Sequence, residues 1–125
     1  MIFIPASIGE LIDKITILKI KTLEIKDASK LKNVQKEYDV LTSLPEYIHY
    51  YSQILNQYQD LLKVNYALWH LEEDIRRYEK ELNFKEPFID TARKIYKTND
   101  ERSRIKKEIN ILCNSELVEE KSHEE

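Results

Sequence analysis

Apolar residues recur at three- and four-residue steps along almost the whole chain, with polar residues between them, and this period predicts helices. Ser7-x-x-Glu10 stands just before an apolar run. That is the arrangement of a capping box, in which Ser7 accepts from the amide three residues on and Glu10 reaches back. A first helix over residues 8–26 follows, with Ile8, Leu11, Ile12, Ile15, Leu18, Thr22 and Ile25 as its stripe and Ile17, Ile20 and Leu23 widening it. A helix this apolar is expected to be covered on two sides. Asp27 suits the N-cap of a second helix over 28–43, marked by Leu31, Val34, Tyr38 and Leu41 and ended by Pro45.

Residues 46–82 hold neither proline nor glycine. Ile48, Tyr51, Leu55, Tyr58 and Leu62 form one stripe there, and Leu61, Leu68, Ile75 and Leu82 a second at seven-residue spacing. A single helix over this span is ~55 Å long at the usual rise per residue, whereas a compact chain of this size is only ~35 Å across. The third helix therefore either breaks, near Asn56 or Asn65, or projects, and a projecting apolar stripe calls for a partner. Asn83-Phe84-Lys85-Glu86 reads as a turn, and Pro87 suits the first position of a fourth helix over 87–113. Its stripe is Phe88, Ala92, Ile95, Asn99, Arg102, Ile105 and Ile109, and Asn99-Asp100 offers a second cap and with it a kink. The expected fold is an all-α antiparallel bundle of about four helices with a long hairpin from the third and fourth. A turn centred near Phe84 sets Trp69 opposite Asn99 and Asn65 opposite Arg102. Residues 1–115 read as one helical domain and 116–125 as an acidic C-terminal tail.

Composition agrees with few, long helices: the 125 residues include one glycine, Gly9, and three prolines. The net charge of −3 is unevenly spread. Residues 14–36 carry seven lysines against two acids, and residues 93–107 seven basic residues against two acids. The span 37–92 and the tail are acidic. Blocks of both signs favour pairing within or between copies over one nucleic-acid face. Cys113 is the only cysteine, which fits a reducing compartment. Charges interrupt every apolar run, so no membrane span is expected. The start Met1-Ile2-Phe3-Ile4-Pro5 is too short for a signal-peptide core. The expected location is cytoplasmic.

Candidate chemistry lies where polar residues interrupt apolar stripes. Asn65, Glu72, Asn99 and Arg102 do so among Leu, Ile and Trp69, and Glu10, Asp13 and Lys14 do so at the start of the first helix. Such residues form either a paired network that fixes register or a polar pocket inside the bundle that takes an anionic small molecule through Arg102 and Arg76. Small helical enzymes such as chorismate mutases use pockets of this composition. Glu10-x-x-Asp13 puts two carboxylates on one face, but the second acidic pair that a Mg²⁺ site needs has no match at the right spacing. His49, His70 and His123 lack ligand spacing, Cys113 lacks a nucleophile motif, and one glycine builds no phosphate loop. No metal and no cofactor is therefore expected. The eight tyrosines point to core or interface packing before stacking on sugars or bases.

Several separate segments carry a resemblance. They are Pro5-x-Ser7-x-Gly9-Glu10-Leu11-Ile12-Asp13-Lys14-Ile15-Thr16-Ile17-Leu18, then Asn65-x-x-Leu68-Trp69-x-x-Glu72 with Ile75-Arg76. Ala92-Arg93-x-x-Tyr96-x-Thr98-Asn99-Asp100, Ile109-Asn110 and Val118-Glu119-Glu120-Lys121-Ser122 follow. In this order they resemble a family of small bacterial and phage proteins of unknown function, over nearly the whole chain. The resemblance implies an all-helical fold and, from the setting of the relatives among glycosyltransferase genes, a link to surface-polysaccharide biosynthesis. It carries no activity, cofactor or catalytic residue. His123 stands where the relatives are aromatic.

The functional expectation is a non-enzymatic helical interaction or adaptor protein, homodimeric through the long hairpin. The alternatives are a small helical enzyme or anion binder using the pocket of Glu10, Asp13, Lys14, Asn65, Trp69, Glu72, Arg76, Asn99 and Arg102, and a nucleic-acid accessory protein using the 93–107 face.

Overall fold

The computed structural model describes residues 1–118 and 120. Among them are five α-helices, one 3-10 turn and no strand: α1 (Ile8–Glu24), α2 (Ala28–Thr42), α3 (Pro45–Tyr50), the 3-10 turn Tyr51–Gln53, α4 (Leu55–Lys80) and α5 (Glu86–Leu112). His123 and most of the acidic tail lie outside the described residues.

The starts of α1 and α2 follow their side-chain caps. Ser7 Oγ accepts from the Glu10 amide at 3.0 Å, and Asp27 Oδ1 accepts from the Lys30 amide at 2.9 Å. The second half of the expected capping box is not made with Ser7: the Glu10 carboxylate instead meets Lys106 Nζ at 2.7 Å, across the bundle. The box bond would reach a neutral amide, whereas the bond to Lys106 pairs opposite charges and satisfies an ammonium only 16 % exposed.

The overlong third helix breaks, close to Asn56, and so five helices replace the expected four. Ile54 leaves helical geometry (φ −124°, ψ 26°) and points fully into the core. The break turns α3 back over α1 and α2, where it makes contact, instead of carrying it into water. Tyr51 and Tyr58 pack edge to face across the junction, 5.4 Å apart, and Tyr47 lies 5.3 Å from Tyr51. Ile48 and Leu55, expected on the buried stripe, end up outward because the break rotates them away.

At the far end of α4, Leu82 takes a left-handed backbone (φ 56°), and the amide of Asn83 returns to the Tyr78 carbonyl at 2.9 Å. That is a Schellman-type stop, reached without the usual glycine. The chain reverses there and α5 runs back as one helix through Asn99-Asp100, so the second cap offered there does not start a fresh helix. The long hairpin is thus α4 and α5, not the whole third segment.

Helix α1 is central and touches α2, α3, α4 and α5. Its Ile12 and Ile15 meet Ile54, Tyr58, Leu61, Ile105, Ile109 and Cys113 in one core. Helix α2 contributes no buried residue and lies on the outside. Gly9 lets α1 approach α5 closely: a Cβ there would lie 2.5 Å from the Lys106 carbonyl oxygen. The Gly9 amide donates to Asn110 Oδ1 at 2.7 Å at this crossing. No described helix is long and apolar enough to cross a membrane.

Candidate functional site

Asp13 sits at the meeting of three helices with only 1 % of its surface exposed. Its Oδ1 accepts from Asn65 Nδ2 of α4 and from Arg102 Nε of α5, both at 2.9 Å. Its Oδ2 accepts from Arg102 Nη2 at 2.5 Å, with Lys106 Nζ at 4.0 Å. Asn65 also donates to Thr16 Oγ1 at 2.9 Å, and Thr16 donates to the Asp13 carbonyl at 2.7 Å. A carboxylate this deep is tolerable only when paired and hydrogen-bonded. The bond to Asp13 raises the Arg102 pKa above its already high usual value, so this guanidinium stays charged.

Above the network opens a cleft of about 560 Å³ between α1, α4 and α5. Six of the nine predicted site residues line it: Asn65, Trp69, Glu72, Arg76, Asn99 and Arg102. The register read from the turn holds, since Asn65 and Arg102 share Asp13, and Trp69 and Asn99 share the cleft. Asp13 lies among its partners without lining the cleft. Glu10 pairs with Lys106 one turn away. Lys14 is not brought to the site: it points outward to Glu37 of α2 at 3.2 Å, because one residue along a helix turns the side chain well away from Asp13.

Sequence reasoning missed Lys106, Thr16 and Asn110, and the apolar lining residues Ile17 and Ile20. A signal for the polar ones existed. Asn99, Arg102, Lys106 and Asn110 follow one another at steps of three and four, a polar line down one face of α5.

Cys113 is buried in the core, where desolvation pushes its thiol pKa up and away from reactivity. No group of three or more His, Cys, Asp or Glu among the described residues is placed to hold a metal ion. Of the basic 93–107 stretch, Arg102 meets Asp13, Lys106 meets Glu10, Arg104 meets Glu101 and Glu108, and Lys107 meets Glu120. Charge spent on these pairs leaves less for phosphates.

Residues 3–125 match the pattern of a family described as "Family of unknown function (DUF6165)", and the chain belongs to that family. No curated protein and no solved structure matches it.

Proposed function

We propose that this member of a family of unknown function is a non-enzymatic helical interaction protein that pairs with a second copy of itself through the α4/α5 hairpin. The observation that carries the reading is the hairpin's bare outer half. From Trp69 to Asp90 no residue is buried, although the span holds Leu71, Ile75, Leu82, Phe84, Phe88 and Ile89. Leu82, Phe84, Ile89 and, further along α5, Tyr96 are half exposed or more. Two helices without a third layer leave apolar surface for a partner.

Charge supports a second copy as that partner. Residues 72–81, the end of α4 with its cap Glu81, carry five acids and three bases, while residues 85–97 leading into and along α5 carry four bases and two acids. In a two-fold arrangement α4 of each copy meets α5 of the other, so the excess charges are opposite across the interface.

Sedimentation velocity at micromolar concentration tests this. The expected species is a dimer, and Ile89→Glu with Tyr96→Glu, both on exposed sites seven residues apart on α5, converts it to a monomer of unchanged helical circular dichroism. A monomeric wild type, or a dimer indifferent to both substitutions, refutes the reading.

A further inference from the structure

The cleft above Asp13 has the volume of a small-molecule site, and the charges around it have a sign. Arg102 is cancelled by Asp13 at 2.9 and 2.5 Å, and the ammonium of Lys106 is met by Glu10 at 2.7 Å. At the mouth stand Glu72, Glu73 and Arg76. Arg76 reaches Glu72 only at 3.5 Å, with a side chain 80 % exposed, and an exposed pair of this kind holds weakly. Glu73 lies 3.5 Å from His70, which is charged only when protonated. Two carboxylates against one loosely held guanidinium leave the mouth negative. The wall beside them is apolar, built from Ile17, Ile20, Leu68 and the Trp69 indole.

An indole next to carboxylates is the chemistry that receives an ammonium group, through the ring's negative face and through charge-assisted hydrogen bonds. We infer that this cleft binds a small organic ammonium carrying an apolar body. The cation sits between Trp69 and the Glu72 and Glu73 carboxylates, displacing Arg76 from Glu72, and the body lies on Ile17, Ile20 and Leu68. The site goes beyond the pairing proposed for the hairpin: it lies where α4 faces Ile17 and Ile20 of α1, and although Glu72 and Glu73 also enter the charge balance of that pairing, the concentration arm of the titration below separates the two. It also reverses the sign of ligand expected when Arg102 is taken to be available, because Asp13 supplies that guanidinium with its anion from within the chain.

Trp69 is the only tryptophan in the sequence, so tryptophan emission reports on the surroundings of this one side chain. The full chain is titrated with hexylammonium and, separately, with hexanoate, a probe of the same length and opposite charge. The expected result is a saturable change in Trp69 emission with hexylammonium and none with hexanoate. Glu72→Gln/Glu73→Gln, at side chains that are 46 % and 58 % exposed and so replaceable without refolding the core, weakens the ammonium at least tenfold. Arg76→Gln, which removes the competing cation, tightens it. The inference is overturned if hexanoate binds as well as hexylammonium, or if the ammonium response is unsaturable or unchanged in the double variant. It is equally overturned if Trp69 emission follows protein concentration instead of ligand, which would place a second copy in the cleft.

Discussion

A carboxylate with 1 % of its surface exposed needs its lone pairs answered, and Asp13 draws those answers from Asn65 and Arg102 on two other helices. Removing the carboxylate alone strands the Arg102 guanidinium, so Asp13→Ala is expected to cost about 3–5 kcal/mol. Replacing both partners by apolar residues of similar size, Asp13→Leu with Arg102→Met, should recover most of that loss. Urea denaturation of Asp13→Leu, Arg102→Met and the double variant measures the coupling. A double variant as unstable as the sum of the singles would mean that the pair is not the unit described here. At this scale the sequence was legible in part. Asp13, Asn65 and Arg102 stood out as polar residues on apolar stripes. Lys106 did not, because a lysine among charged neighbours looks like solvated surface until the fold places a carboxylate over it.

Elements differ in how firmly the core holds them. Helix α1 has seven buried residues and contacts every other helix, whereas α2 has none. Helix α2 should therefore open locally at little cost while α1 opens only with the whole fold. Native-state hydrogen exchange is expected to show α2 amides exchanging far faster than those of α1, and comparable protection in the two would contradict this packing. The junction of α3 and α4 carries a different signature. Burial, and then the neighbouring tyrosines Tyr51 and Tyr38, push the Tyr47 pKa from 10.0 up to about 12, and burial raises that of Tyr58 as well. A phenol whose folded pKa is raised contributes fully below the unfolded value and loses its contribution as pH rises through the folded one. Stability should thus decline between pH 10 and 12, and Tyr47→Phe should flatten that decline in pH-dependent melting. The break that builds this cluster was one of two outcomes open to the sequence. Helical period alone continues through Ile54, and nothing local forbids it.

The whole molecule is a packed end joined to a two-helix hairpin that outruns its cover. If the hairpin pairs two copies as proposed, the melting temperature rises with protein concentration, because only the folded state finds a partner. A melting temperature constant over a hundredfold range of concentration would speak for a monomer. The sequence by itself determined the helical class, the caps at Ser7 and Asp27, the reversal after α4, and the facing of Asn65 with Arg102 and of Trp69 with Asn99. Each of these follows from local period, capping chemistry or a turn that sets register, and such signals act over a few residues. Only the tertiary structure decided where the third segment breaks, that Glu10 serves Lys106 instead of its own helix, that Lys14 faces α2, and that Gly9 admits the α5 backbone. Those outcomes depend on which residues distant in sequence arrive at the same place, and there burial makes unpaired charge and empty space costly enough to override local preference.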